Sequence, residues 1–411
     1  YLQFKAGSVV DSVIDELETA ILNLEVMPSM RLLMTAGIAC DRDNVAAYNC
    51  SFREMNGSGE KLYVLTDEMK EHGLDEPVAI NISNPICFDE VMYILLCGTG
   101  VGFSCERQVV ANLPTVGHKT PRTIYKKTQV NFPGVDKEDL STYNKTENKI
   151  VVADTKYGWA SALRILIVEL YNGNNSISWD LSKVREAGEP LKTFGGRASG
   201  PEPLNALFNY CVNVFNSANN RKLTSIEVHG IVCKIAQVVV VGGVRRSALI
   251  SLSNLSDDRM RHAKSGNWWD ENTGNPEFQL ANNSIAYTER PNIETYMREM
   301  TALIESKSGE RGIYNKAAAK AQAAKWGRRS KDIEYGTNPC SEIILRDKQF
   351  CNLTEVVVRE SDSFETLKRK VELATILGTI QSTLTDFKYL SADWKKNTEE
   401  DLEEERRGLS D

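Results

Sequence analysis

Apolar residues recur along this chain with two different spacings, which divide it into predicted helices and predicted strands. Apolar residues three or four positions apart mark one face of a helix, and short apolar runs bounded by polar residues mark strands. The predicted helices are 10–24, 89–97, 157–171, 226–241, 257–264, 293–306, 317–326 and 364–390. The predicted strands are 44–52, 150–154, 177–182 and 248–255. Because strands and helices alternate, the pattern predicts an α/β fold with parallel strands.

The segment 108–150 interrupts this pattern with polar residues, mixed charge and three prolines, Pro114, Pro121 and Pro133. We interpret it as an insertion or a surface elaboration of one large domain that extends over 1–411. With 411 residues, of which 41% are hydrophobic, the chain is long enough to bury an extensive core.

Chemically reactive side chains concentrate in the stretch 338–353, which begins Asn-Pro-Cys-Ser-Glu-Ile. A proline disfavours the α region for the residue before it, so the stretch is predicted to begin as extended chain. In an extended chain Asn338, Cys340 and Glu342 project to one side. An amide, a thiol and a carboxylate would then face one small molecule.

The same stretch is predicted to form a hairpin, because the polar residues 346–349 separate two short apolar runs. If the chain reverses there, Cys351 returns beside Cys340. A cysteine nucleophile for acyl transfer normally works with a histidine, and the nearest one in sequence is His262. Two cysteines brought together can instead deliver two electrons by closing a disulfide.

Charge and cysteine usage exclude several classes of protein. Against 49 Lys and Arg stand 56 Asp and Glu, a net charge of −7 that argues against nonspecific binding to nucleic acid. The nine cysteines include no Cys-x-x-Cys pair, so we predict no structural metal site. His229 and Cys233 lie four apart on a predicted helix, where they could share a metal or belong to the core. No signal peptide or membrane-spanning run is apparent, so we expect no membrane partner and a reducing cytoplasm.

The stretch 338–353 resembles the active-site finger loop of the ribonucleotide reductases, with Asn-Pro-Cys-Ser-Glu-Ile followed eleven residues later by Cys-Asn-Leu. Five further motifs occur in the family's order, and together they span nearly the whole chain. They are Pro28-Ser29-Met30-Arg31, Tyr48-Asn49-Cys50-Ser51-Phe52, Cys97-Gly98-Thr99-Gly100-Val101-Gly102-Phe103, Gly242-Gly243-Val244-Arg245-Arg246-Ser247-Ala248 and Ser308-Gly309-Glu310-Arg311-Gly312. The fuller motifs are most similar to the adenosylcobalamin-dependent (class II) branch and its phage relatives.

The resemblance implies a ten-stranded α/β barrel around the finger loop and a role for each active-site residue. Cys340 would carry the thiyl radical that abstracts the 3′ hydrogen of a ribonucleotide, and Glu342 would accept the proton of the 3′-hydroxyl. Asn338 would bind the sugar hydroxyls. Cys50 and Cys351 would be the reducing pair, oxidised to a disulfide as the 2′-deoxyribonucleotide forms.

The resemblance also implies binding residues, a cofactor and partners. Ser29, Asn49 and Gly98 match positions that contact substrate in the family. The segment that would carry information from a bound effector, dNTP or ATP, to the substrate consists of Gly242, Gly243, Val244, Arg245, Arg246 and Ser247. Adenosylcobalamin would supply the radical, and a thioredoxin-like protein or another dithiol would reduce the disulfide.

Three alternatives stay open at this point. The chain could belong to a class I-type large subunit that needs a separate metal-containing radical subunit. It could also be a nucleotide-binding fragment without activity, or a different radical enzyme on a similar barrel. The substrate could be a diphosphate or a triphosphate. The chain begins at Tyr1 and ends after an acidic run, 399–405, so we expect the C-terminal side of the barrel to be missing.

Overall fold

The computed structural model describes residues 11–64, 71–73, 78–117, 132, 134–190, 197–239, 248–327 and 329–407. These residues form two compact units. Unit 1 comprises the described residues within Tyr1–Arg53, Ile94–Gly102 and Asn315–Asp411. Unit 2 comprises those within Glu54–Tyr93 and Phe103–Tyr314.

Helices and strands are distributed over both units. The helices are α1 (Asp11–Leu22), α2 (Met30–Thr35), α3 (Ile38–Arg42), α4 (Cys87–Leu96), α5 (Arg107–Val110), α6 (Lys156–Tyr171), α7 (Glu202–Ser217), α8 (Ser225–Val238), α9 (Asp258–Arg261), α10 (Ile293–Ser306), α11 (Lys316–Ala324), α12 (Phe364–Ser382) and α13 (Ala392–Arg407). The strands are β1 (Val26–Pro28), β2 (Cys50–Glu54), β3 (Ser58–Val64), β4 (Val78–Asn84), β5 (Gly100–Ser104), β6 (Thr142–Asn144), β7 (Lys149–Val151), β8 (Ser178–Asp180), β9 (Leu249–Ser253), β10 (Ala281–Tyr287), β11 (Gly312–Asn315), β12 (Tyr335–Thr337), β13 (Ile344–Arg346), β14 (Gln349–Cys351) and β15 (Thr354–Val356).

The first predicted helix packs as its apolar period requires. Leu17 and Ala20 of α1 form one buried cluster with Leu373 and Leu377 of α12 and with Val26 of β1. Full burial of a leucine side chain contributes about 1.5–3 kcal/mol. The apolar face of α1 therefore attaches the start of unit 1 to its longest helix.

Helix α12 ends at Ser382, so the predicted helical segment 364–390 was too long. The hydroxyl of Tyr48 donates to backbone carbonyls just at this point, 3.2 Å from Gln381 O and 2.9 Å from Leu384 O. Those carbonyls are satisfied by a distant side chain, which lets the helix stop without a glycine.

The predicted strand 44–52 is correct only from Cys50 onward, where β2 begins. Asn44–Ala47 form a 3₁₀ turn instead, since Asp43 Oδ1 accepts a hydrogen bond from the backbone N–H of Val45 at 2.9 Å. A side-chain hydrogen bond of this kind stabilises a turn in place of backbone pairing with a neighbouring strand. In unit 1, β2 lies between β14, with which it pairs antiparallel, and the start of β5.

Unit 2 contains the parallel pairs that the alternating pattern predicts. Strand β9 pairs in parallel with β10, and β7 pairs in parallel with β8. All five residues of β9 are buried, as expected for a strand covered on both faces. The fold is thus a mixed α/β one.

A ten-stranded barrel stays a prediction, because the strands in the described part of the chain do not close into one sheet. The single domain over 1–411 and the insertion at 108–150 also stay predictions. Among the helices of the described ranges, none combines the length and the apolar character needed to cross a membrane.

Candidate active site

The loop between β12 and β13 carries Cys340 at its tip, and the side chain of Asn338 braces it. Asn338 Oδ1 accepts the backbone N–H of Ile343 at 3.0 Å, and the Asn338 carbonyl accepts the N–H of Ser341 at 3.0 Å. Pro339 occupies the second position of this turn, where its fixed φ is favoured. Ser341 lies in the left-handed region at φ 68°.

The prediction that 338–342 is extended was therefore wrong. Asn338 is fully buried, whereas Cys340 and Glu342 are exposed on the tip of the turn. The amide of Asn338 and its backbone carbonyl bend the chain into a turn instead. The result presents the thiol of Cys340 outward and leaves the carboxamide beneath it.

The predicted reversal is confirmed, since a two-residue turn at Asp347 and Lys348 separates β13 from β14. The buried guanidinium of Arg53 donates to both carboxylate oxygens of Asp347, at 3.0 and 3.1 Å, and so fixes the turn. After the turn β14 pairs with β2, and Cys351 lies directly opposite Cys50. The partner of Cys351 across the sheet is thus Cys50.

Two sulfurs and an amide are in contact at this point of unit 1. Asn338 Nδ2 donates to Cys50 Sγ at 3.7 Å, and Cys351 hydrogen-bonds Cys50 through its side chain. Directly opposite residues of an antiparallel pair have Cα atoms about 4.5–5.5 Å apart, within the range that a disulfide spans. Both cysteines are free thiols.

The three thiols of the site differ in acidity. Hydrogen bonding from Cys351 lowers the pKa of Cys50, and Asn338 and Arg31 act in the same direction, against burial and Glu342. The pKa of Cys351 is raised well above its ordinary value, because its thiol donates a hydrogen bond to Cys50 and because it is buried. Partial desolvation of its thiol, with the charges of Glu342 and Cys50, raises the pKa of Cys340, although the residue is exposed on the loop tip. Cys50 is therefore the sulfur of this group best suited to act as a thiolate.

The three predicted substrate residues have distinct local roles. Ser29 caps α2, its Oγ accepting the N–H of Leu32 at 3.0 Å. Asn49 places its Oδ1 in a buried position without a hydrogen-bond partner among the described residues. Gly98 has φ 82°, and its carbonyl accepts a hydrogen bond from Arg31. A sugar hydroxyl could donate a hydrogen bond to the unsatisfied Oδ1 of Asn49.

The predicted specificity loop, Gly242, Gly243, Val244, Arg245, Arg246 and Ser247, lies outside the described residues. In unit 2, His229 Nε2 lies 3.6 Å from Cys233 Sγ, and both side chains are fully buried. Burial, with the charge of Lys264, lowers the pKa of His229 to about 3. Across the described ranges, no cluster of three His, Cys, Asp or Glu side chains could hold a metal ion.

Two residues of the site escaped prediction. Arg53 occupies a strand position with no motif attached to it. Arg31 lies within the motif Pro28-Ser29-Met30-Arg31, but the resemblance assigned a role only to Ser29. Arg53 is a fully buried arginine three residues after Cys50, and its role in fixing the turn becomes apparent only once its partner Asp347 is known.

We expect a mild thiol oxidant such as diamide to close a disulfide between Cys50 and Cys351 in the reduced protein. Their cross-strand geometry suits the bond, and Cys50 supplies the thiolate that starts it. Peptide mass spectrometry without reduction measures the linkage. Cys50→Ser should abolish it, whereas the matched variant Cys340→Ser should leave it intact. A bond from Cys340 to either sulfur as the main product would contradict the assigned pair.

Comparisons of the sequence with known proteins agree with one another. Residues 122–215 match the family model of the B12-dependent ribonucleotide reductase insertion domain. An adenosylcobalamin-dependent ribonucleoside-triphosphate reductase of Levilactobacillus brevis is 27% identical over 382 residues, which cover 86% of this chain and 49% of that protein. The protein of the same name from Lactobacillus acidophilus is 30% identical over 301 residues, covering 68% of this chain and 38% of that one.

A solved structure shows the same fold. The crystal structure of a B12-dependent (class II) ribonucleotide reductase superposes with a TM-score of 0.66 at 23% identity, covering 92% of this chain and 52% of the other. The chain thus spans about half the length or less of the proteins that it matches.

Proposed function

Because this chain is a relative of the adenosylcobalamin-dependent ribonucleotide reductases, as its ordered motifs predicted, we propose that the full-length protein reduces ribonucleotides to 2′-deoxyribonucleotides. One observation carries the proposal. Cys50 lies opposite Cys351 and accepts a hydrogen bond from Asn338, on whose loop Cys340 is exposed. These are the residue types that the reaction needs, in one place.

The reaction replaces the 2′-hydroxyl by hydrogen, releases water and takes two electrons from two thiols that become a disulfide. Cys340 would remove the 3′ hydrogen and return it at the end. Glu342, exposed on the same loop tip, would accept the proton of the 3′-hydroxyl. Cys50 would give its proton to the departing 2′ oxygen, the hydrogen of the Cys351 thiol would pass to C2′, and the two sulfurs would then close the disulfide. General acid–base catalysis alone supplies about 10²–10⁴-fold, too little for an unactivated C–O bond.

Asn338 would exchange one partner for another when substrate binds. Its Nδ2 donates to Cys50 and its Oδ1 accepts from Ile343. Nδ2 carries two N–H groups, so a sugar hydroxyl can replace the sulfur as its partner while Oδ1 keeps the hydrogen bond that braces the loop. Asn49 Oδ1 offers the sugar a second acceptor.

Adenosylcobalamin, when bound, supplies a radical by homolysis of its cobalt–carbon bond. The exposed tip position of Cys340 suits this cofactor, because a group that comes from outside the loop must reach the sulfur. The names of the relatives favour the cofactor over the separate metal-containing subunit of class I enzymes. They also lead us to propose a ribonucleoside triphosphate as the substrate.

The remaining assignments belong to the same proposal. We propose that the strands belong to a ten-stranded barrel in one catalytic domain, with 108–150 as an insertion or surface elaboration. A dNTP or ATP effector would act through residues 242–247, and a thioredoxin-like protein or another dithiol would reduce the disulfide. Nine free thiols fit a reducing compartment, and we place the protein in the cytoplasm.

The test is an assay of the full-length protein with adenosylcobalamin, a dithiol and each ribonucleoside triphosphate, without a second subunit. We expect the deoxyribonucleotide to form at a rate that depends on the cofactor. Product that appears only when a metal-containing subunit is added would favour the class I alternative. Nucleotide binding without product under either condition would favour a binding protein without activity.

A further inference from the structure

We propose that Arg31 is a positioning residue of this site, whose guanidinium holds the loop at Gly98 in place and supplies a positive charge that acts on Cys50. The proposal rests on the proposed function, in which the Cys50 thiol must release a proton during turnover. Neither the motif resemblance nor the comparisons assign Arg31 a role.

The guanidinium of Arg31 occupies the space that a side chain at position 98 would need. Its Nη2 donates to the Gly98 carbonyl. A Cβ built on Gly98 would lie 2.5 Å from Arg31 Nη1 and 2.8 Å from Arg31 Cζ. Gly98 also has φ 82°, a conformation that favours glycine. A side chain at position 98 would therefore strain the backbone and displace the guanidinium of Arg31.

The loop that Arg31 holds is bonded directly to the chain around Cys50. Thr99 Oγ1 donates to the Tyr48 carbonyl at 2.9 Å, and the N–H of Gly100 donates to the Asn49 carbonyl at 2.8 Å. Ser51 Oγ donates back to the Gly100 carbonyl at 3.2 Å. Residues 98–100 thus hold the chain on both sides of Cys50, and Arg31 in turn holds Gly98.

Arg31 is the positive charge among the groups that act on the Cys50 sulfur. The other groups are the thiol of Cys351, the amide of Asn338 and the carboxylate of Glu342. Glu342 raises the pKa of Cys50, and Arg31 opposes it by favouring the thiolate. The guanidinium of Arg31 thereby offsets the charge of Glu342 and makes the Cys50 thiol a better proton donor.

The experiment measures the pH dependence of alkylation of Cys50 by iodoacetamide in the reduced protein. Mass spectrometry follows the Cys50 peptide, with the exposed Cys340 of the same molecule as the internal reference. The pKa of Cys340 is raised by partial desolvation of its thiol and by the charges of Glu342 and Cys50, not by Arg31. In Arg31→Gln, we expect the alkylation midpoint of Cys50 to move to higher pH. The rate ratio of Cys50 to Cys340 at neutral pH should fall roughly threefold or more.

Two variants separate charge from packing. Arg31→Lys keeps the positive charge, so its ratio of Cys50 to Cys340 alkylation rates should stay close to that of the wild type. Gly98→Ala places a methyl group where the guanidinium lies, so it should reproduce the shift, and combining it with Arg31→Gln should add little. Arg359→Gln is the matched control, since this exposed arginine also donates to backbone carbonyls, at 3.0 Å to Asn23 O and 3.1 Å to Leu24 O. It should leave the ratio unchanged.

An unchanged ratio in Arg31→Gln and in Gly98→Ala would overturn the proposal, and so would an equal fall in Arg31→Lys. The alkylation ratio requires no turnover. A failed reductase assay with a shifted ratio would therefore count against the proposed function alone. A normal assay with an unshifted ratio would count against Arg31 alone.

Discussion

Replacing Cys340 with serine in the full-length protein should abolish ribonucleotide reduction. The hydroxyl of serine does not form a radical under conditions that oxidise a thiol, so the 3′ hydrogen would stay in place and the 2′ C–O bond would not weaken. The remaining groups, Glu342, Asn338 and the Cys50–Cys351 pair, could offer only acid–base and electron-transfer chemistry to an unactivated sugar. Chromatography of the deoxyribonucleotide formed over several hours measures the loss.

A second serine variant serves as the control for this result. Cys40 is a buried cysteine of unit 1 whose Sγ donates to Thr35 Oγ1 at 3.3 Å. Cys40→Ser should retain most of the activity. Cys340→Ser should still bind nucleotide and still close the disulfide between Cys50 and Cys351. Deoxyribonucleotide formed by Cys340→Ser at the normal rate would contradict the role of this sulfur.

The sequence predicted those structural features that depend on residues close together in the chain. The polar residues 346–349 predicted the reversal that leads into β14, and the period of apolar residues predicted α1 and α6. The pairing of Cys351 with Cys50 was implied only by the family resemblance, because it joins two residues 301 positions apart in the chain. A local pattern contains no information about such a register.

The shape of the Cys340 loop shows why local reasoning failed there. Pro339 predicted extended chain, but the Asn338 side chain satisfies the N–H of Ile343 and closes a turn. Asparagine competes with regular backbone pairing in this way only where its partner falls within reach. The motif itself indicated the residues of the site, and their geometry depended on one side-chain hydrogen bond.

The motif Ser308-Gly309-Glu310-Arg311-Gly312 contributes to the family resemblance, and the structure shows that it supplies a fully buried arginine. Arg311 Nε donates to Glu299 Oε1 at 2.6 Å, and Arg261 Nε donates to Glu299 Oε2 at 2.8 Å. Arg311 Nη1 also reaches the end of β9, at 3.0 Å from Ser253 Oγ. One carboxylate of α10 thus pairs with two buried arginines of unit 2, of which Arg261 also pairs with Asp258.

Because of this arrangement, Glu299→Gln should be the most destabilising single substitution that we predict. The change keeps the size of the side chain but leaves two buried guanidinium groups with one fewer negative charge. Breaking a buried ion pair by removing one partner costs about 3–5 kcal/mol. Hydrogen exchange of peptides from α10 and β11 at increasing urea concentration measures the free energy of opening. Glu305→Gln, an exposed change on the same helix, should alter it by less than about 0.5 kcal/mol.

The pH dependence identifies the charge as the cause. Burial alone would raise the pKa of Glu299, but Arg311 and Arg261 together lower it below its ordinary value of 4.5. A carboxyl whose pKa is lower in the folded state stabilises fully above its unfolded pKa, and the contribution disappears as the pH falls through the folded value. The difference between the wild type and Glu299→Gln should therefore be constant from neutral pH to about pH 5 and shrink below pH 4.5. A difference that persists undiminished in acid would mean that the glutamine fails through packing rather than through charge.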